Sequence, residues 1–334
     1  MHSRENATLT PQHVRSGASQ ATTWEGWEDL SFTKPSSTRI IAIANQKGGC
    51  GKTTLAINLA AAFAAGGLRV LLVDLDSQHN ATTGVGISSE DVDECICEVL
   101  LDPKKKSLAD VVLETGFPRL HLAPASSELS AFETRVVNEI GRENRLKRAL
   151  APFLPLYDVV LIDTPPSLGL LSVNAFAAAH EVLVPLQPHP FAFDGLNLLL
   201  NSIELVKDDI NPTIILSGIV VSMYDGRKKI VKEIIEAVQK QPELAPLVLN
   251  SFIRQNIRLT EASEFGGPIF EFDPLSLGAQ DFVALAKEIV ERYESQRAER
   301  AQAFEGMKSR LLELNRMSRE KKAETTELAP EHTS

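Results

Sequence analysis

The chain of 334 residues is 43% hydrophobic and 23% charged, which bounds it as a globular protein with a full core. A formal net charge of −10 confines any nucleic-acid contact to a local basic patch. Cys50, Cys95 and Cys97 form no CxxC pair and no zinc spacing with His, no apolar run reaches the roughly eighteen residues that span a bilayer, and no secretion signal opens the chain, so a reduced cytoplasmic setting is expected, neither secreted nor integral to a membrane.

Residues 1–38 are rich in Ser, Thr, Asn and Gln, lack a sustained period and read as a disordered arm. Trp24, Trp27 and Phe32 interrupt it, either as a short docking motif or as a segment packed on the domain surface. Over residues 39–296 strand-like runs alternate with helical patterns, which predicts an α/β fold: a mostly parallel twisted sheet with helices on both faces.

The apolar run Ile40 to Ala44 leads into Asn45-Gln46-Lys47-Gly48-Gly49-Cys50-Gly51-Lys52-Thr53-Thr54, and a helical pattern follows from Leu55 to Phe63. Strand, glycine loop and helix in this order make a phosphate loop of the P-loop NTPase type. Gly48, Gly49 and Gly51 permit positive φ, so backbone N–H groups can meet a polyphosphate at the positive end of the helix. Lys52 adds a point charge for the β and γ phosphates, and the Thr53 hydroxyl is a natural Mg²⁺ ligand. Lys47 stands too early to fold back easily onto its own phosphates, but it could reach nucleotide held by another subunit.

After Gly66-Gly67, Val70 to Val73 reads as a buried strand ending in Asp74-Leu75-Asp76. The two carboxylates, two residues apart, point to the same side; one can support a metal shell while the other orients an attacking water. Further strands are predicted at Leu120 to Ala123, Asp158 to Ile162, Val182 to Leu186, Ile214 to Val221 and Val248 to Ile253. The stretch Asp158 to Asp163 is an apolar strand ending in a carboxylate, the Walker B pattern, so Asp163 can hold Mg²⁺ directly or through water. Pro165-Pro166 then force an irregular segment suited to a switch loop. From Asp225 to Arg258, seven Lys and Arg stand against four acidic residues, a basic island in an acidic chain. Phe282, Leu285, Ile289 and Tyr293 predict a closing amphipathic helix. Residues 297–334 read as a charged helical extension and disordered tail. In it Phe304, Met307, Leu311 and Leu314 form a narrow apolar seam that can pair with a helix, lie on the domain or touch membrane.

KGGCGKTT resembles the deviant Walker A motif of the ParA/MinD ATPases. The similarity extends over about Arg39 to Arg292, through Pro165-Pro166-Ser167-Leu168-Gly169, Val184-Pro185-Leu186-Gln187, Met223-Tyr224-Asp225-Gly226-Arg227 and Asn256-Ile257-Arg258-Leu259-Thr260-Glu261-Ala262, all of which look like ParA/Soj segments. The resemblance implies a Mg²⁺-dependent ATPase with ATP and Mg²⁺ as cofactors, bound through Gly48 to Thr54. Lys47 would cross a nucleotide-sandwich homodimer and Asp76 would serve hydrolysis by positioning water, with Thr53, Asp74 and Asp163 around the metal. By the same carry-over Met223, Ile253 and Arg254 lie near adenine, and Arg227 and Arg258 contact DNA nonspecifically. The family usually has Pro and Gly where Ser77 and His79 stand here. The implied function is chromosome or plasmid partition over the nucleoid, with a ParB-like activating partner. The alternatives are a MinD-like membrane-associated regulator, an orphan relative that positions a non-DNA cargo, and an ATP-dependent ligase or metallochaperone built on the same loop. In MinD the membrane-targeting helix lies at the extreme C-terminus, where this sequence has the polar stretch Ala323 to Ser334.

Overall fold

The computed structural model describes residues 26–189, 192–242 and 244–293. Trp24, the 304–314 seam and the tail lie outside the described residues. Seven strands form one sheet: β1 (Arg39–Ile43), β2 (Val70–Asp74), β3 (Leu113–Glu114), β4 (Leu120–Ala123), β5 (Val159–Asp163), β6 (Glu181–Leu186) and β7 (Ile215–Val221), in the order β3-β4-β2-β5-β1-β6-β7. All neighbours are parallel except the short edge pair β3 and β4. The longer helices are α1 (Lys52–Ala65), α2 (Leu170–Ala178), α3 (Ala192–Asp209), α4 (Lys229–Gln239) and α5 (Ile257–Phe265), and the chain is helical again over 277–293. Among the described residues no helix is long and apolar enough to cross a membrane.

Strand residues alternate between two cores because successive side chains leave a pleated sheet on opposite faces. Ile41, Ile43, Leu72 and Leu161 meet α1 and the closing helix through Leu55, Leu59, Phe63, Phe282 and Leu285. Ile40, Ala42, Leu71 and Val160 meet α2 and α3 through Ala175, Phe176, Leu199 and Ile203. Both faces are covered, which explains why the strands read as continuous apolar runs. At the base of the sheet the buried Arg39 donates to Glu181 at 2.9 Å, and its guanidinium lies 3.8 Å from the centre of the Tyr293 ring, which ties the closing helix to β1 and β6.

Two expectations change. Val248 to Ile253 is not a strand of the sheet. It runs beside β7 with one isolated bridge, Ile219 to Val248, because the N–H groups of Asn250 and Ser251 donate to the Glu288 carboxylate at 2.8 Å each. Residues 26–38, read as part of a disordered arm, pack on the domain. The Trp27 indole donates to the Pro274 carbonyl at 2.7 Å, the Phe32 ring meets Phe63 edge-on at 6.1 Å, and the Thr38 hydroxyl donates to Tyr157 O at 2.9 Å.

Candidate active site

The C-terminal ends of β1, β5 and β2 lie side by side, since Ile43 pairs with Asp163 and Asp163 with Asp74. In an open α/β sheet this end forms the ligand crevice. The loop after β1 turns into α1 through Gly49 and Gly51, at φ 70° and 90°. A side chain there would cost about 1–2 kcal/mol, and the conformation lets successive N–H groups converge on an anion. Two distant strands brace the loop. The Asn45 amide donates to Pro185 O at 2.7 Å while its Oδ1 accepts from the Lys47 N–H at 2.9 Å, and the Ser222 hydroxyl donates to Cys50 O at 2.8 Å. The Lys52 ammonium lies 3.3 Å from Lys47 O, and the Lys47 ammonium donates to Gln187 Oε1 of its own chain at 2.9 Å. Burial raises the pKa of the Cys50 thiol, so this residue contributes backbone and packing to the loop and no thiolate.

The Thr53 hydroxyl donates to Asp163 Oδ2 at 2.8 Å, which joins the loop to β5. The other oxygen, Asp163 Oδ1, is buried without a hydrogen-bond partner. Such an orphan acceptor is costly in an apolar setting and is answered by a cation. A hydroxyl and a carboxylate beside a phosphate cradle are hard oxygen donors, the set Mg²⁺ takes when phosphates complete its shell. Among the described residues no cluster of three or more His, Cys, Asp or Glu could hold a metal by itself.

Asp74 differs from its expected part. Its Oδ1 accepts from the Asp76 N–H at 3.0 Å and its Oδ2 accepts from the Thr82 N–H and hydroxyl, both at 2.8 Å. Three donors from the following loop make it the anchor of residues 76–82, with its acceptor capacity spent on protein more than on a metal. Burial pushes the Asp74 carboxyl up to about 6, and burial together with the Asp74 charge pushes Asp163 well above the usual carboxylate range. Asp76, also buried, follows two residues on, and its Oδ1 accepts from the Gln78 N–H at 3.0 Å.

A pocket of about 260 Å³ adjoins the loop and is lined by Gly51, Thr54, Met223, Ile253, Arg254 and Phe282 among others. Whole-ligand pockets run to roughly 300–1,000 Å³, so this one suits a single ring system whose charged part lies outside it. Met223, Ile253 and Arg254 therefore come together beside the loop. The Arg254 guanidinium is engaged by Asp281 at 3.0 Å, a partner that sequence spacing did not reveal. The two arginines assigned to DNA are exposed and already paired: Arg227, 91% exposed, with Asp225 at 2.9 Å, and Arg258 with Asp273 at 2.9 Å and Glu261 at 2.8 Å. In the basic island Lys229 likewise meets Glu233, and Lys240 meets Glu236. These exposed pairs are worth little individually and can exchange for other anions. Asn45, Thr82, Gln187 and Ser222 support the site without having been singled out as site residues. Asn45 opens the loop stretch and Gln187 ends the Val184 to Gln187 segment.

Comparison with known proteins adds to this geometry. The AAA domain family matches residues 38–216. The sporulation initiation inhibitor protein Soj of Bacillus subtilis is 43% identical over 251 residues, covering 75% of this chain and 98% of Soj. The chromosome partitioning protein ParA of Myxococcus xanthus is 42% identical over 254 residues, covering 76% of this chain and 88% of that protein. Among solved structures, cobyrinic acid a,c-diamide synthase from Mycobacterium smegmatis with bound ATP analogue and magnesium superposes with a TM-score of 0.68 at 34% identity, over 77% of this chain and 96% of the synthase.

Proposed function

The chain belongs to the ParA/Soj/MinD family of deviant Walker A P-loop ATPases, and from that premise we propose that its ATP-bound dimer holds DNA without sequence preference, releases it after hydrolysis and so partitions a chromosome or plasmid. The observation that carries the ATPase reading is the Thr53 hydroxyl on the buried Asp163, next to Lys52 and the glycine loop. The partition reading is supported by the names of Soj and ParA and by the nearly full length over which Soj matches.

In this reading the N–H groups of Gly48 to Thr54 and the Lys52 ammonium bind the β and γ phosphates, and Thr53 and Asp163 hold Mg²⁺. When bound, the ion neutralises charge on the phosphate oxygens as it develops. Asp74 fixes the 76–82 loop, and Asp76 orients the water whose oxygen attacks the γ phosphorus as the bond to ADP breaks. Its work is orientation, since a water held in line with the γ phosphorus needs position more than a strong base. Lys47 serves nucleotide on the second subunit, and Met223 and Ile253 take the base. A ParB-like protein is the expected activator, and the nucleoid the expected location.

DNA binding tests the finer part. If Arg227 and Arg258 each contact phosphate in both subunits, these four contacts contribute about −3.6 to the slope of log affinity against log salt. Fluorescence anisotropy over a salt series, with ATP and with ADP, should show steep ATP-dependent binding that Arg227→Glu with Arg258→Glu eliminates while ATP binding persists. Unchanged affinity and slope in the double variant would move DNA elsewhere or remove it. The 34% identical synthase supports a second reading, an ATP-dependent ligase, which phosphate release dependent on an added small carboxylic acid would favour.

A further inference from the structure

Lys47 is held on its own chain at three points. Its N–H donates to Asn45, its carbonyl accepts from Lys52, and its ammonium donates to Gln187 Oε1 at 2.9 Å. The amide of Gln187 continues the chain of contacts, since its Nε2 donates to Met223 Sδ at 3.3 Å. Gln187 follows directly on β6, which ends at Leu186, so the sheet sets its position. Met223 follows β7 in the left-handed region at φ 52° and lines the pocket beside Gly51. One glutamine thus bridges the early lysine of the phosphate loop and the wall of the ring-sized pocket.

A neutral amide is a modest acceptor for an ammonium, and a phosphate is a much stronger one. An ammonium seated on Gln187 is not free to reach a phosphate on another subunit, so the two contacts compete. A ring entering against Met223 displaces the thioether from the glutamine amide and loosens the bridge from its far end. We infer that Gln187 is a positioning residue that parks Lys47 on its own subunit until the pocket fills, and so sets the ATP concentration at which two copies join. The inference rests on the reading that Lys47 serves the partner's nucleotide. Filling by ADP breaks only the Met223 end of the bridge, and Lys47 leaves Gln187 Oε1 only when a γ phosphate on a second subunit offers a stronger acceptor.

Two substitutions act in opposite directions. Gln187→Met keeps the length and removes the acceptor, and Gln187→Glu replaces the amide with a carboxylate that pairs with the ammonium. Dimerisation of the full chain is followed by light scattering against ATP concentration, and ADP affinity of each variant is measured in parallel. Dividing the dimerisation midpoint by the ADP dissociation constant removes any direct effect of the new side chain on nucleotide. The ratio should fall about fivefold in Gln187→Met, the scale of one partly exposed hydrogen bond to a charged group, and rise by at least as much in Gln187→Glu. Lys47→Ala is run in the same series. If it dimerises like the wild type, the role of Lys47 across subunits fails, and the parking with it. If it blocks dimerisation while the two Gln187 variants leave the ratio unchanged or move it the same way, the parking is overturned and the role of Lys47 stands.

Discussion

His79 sits at φ 44° and ψ 34°, in the left-handed region, with its Nδ1 buried and unpaired. The resembling family usually has Gly there, and the backbone gives the reason: a Cβ in this conformation costs about 1–2 kcal/mol. Glycine would lose part of that gain through greater freedom of the unfolded chain, roughly 0.5–1 kcal/mol. His79→Gly is therefore expected to stabilise the protein by about 1 kcal/mol, read as a higher urea midpoint at unchanged slope. A lower midpoint would mean that the imidazole makes contacts worth more than the strain. The difference between what a sequence shows and what it hides is visible at this scale. Lys52, Thr53 and Asp163 are legible because each follows an apolar strand in a local pattern. Gln187 and Ser222 are not, because they meet the loop from 140 and 172 residues away.

The segment ahead of β1 is latched to the end of α1. The Phe32 N–H donates to Gly66 O at 2.9 Å, and a Cβ on Gly66 would stand 2.0 Å from the Phe32 ring. Gly66 is thus needed for close approach, at an ordinary negative φ of −78°. Gly66→Ala should displace the ring and cost about 1–3 kcal/mol, the usual penalty for overpacking. The cost should shrink to a few tenths in a Phe32→Ala background, and a double-mutant cycle by thermal or urea unfolding measures this coupling. An additive pair would mean that the ring gives way freely. Strands β1, β2, β4, β5, β6 and β7 were readable within a residue or so at each end, since a strand buried on both faces is apolar throughout. The two-residue β3 is too short to carry a period, and the fate of Val248 to Ile253 depends on Glu288, whose carboxylate takes the Ser251 N–H that would otherwise extend the ladder.

Across the whole molecule, the paired carboxyls at the ends of β2 and β5 give apo stability a definite dependence on pH. A carboxyl whose pKa is raised on folding makes the native state bind more protons than the unfolded one, so its stabilising share is full below about pH 4 and is lost as pH rises through the folded value. With Asp74 moved up to about 6, that loss is about 2 kcal/mol between pH 4 and pH 7. Urea stability of wild type and Asp74→Asn, without nucleotide or Mg²⁺, should show the wild-type advantage shrinking by this order over that range. A constant difference would mean that the carboxyl titrates alike in both states. The sheet order also has a consequence in time. β1 carries the phosphate loop, yet its partners are β5 and β6, and Val159 lies 120 residues after Arg39. At synthesis rates of about 5–20 residues per second, the first strand waits roughly 6–24 seconds on the ribosome before it can pair. Until then its apolar edge belongs to no sheet, and the nascent chain depends on whatever shields Ile40 to Ile43 during that interval.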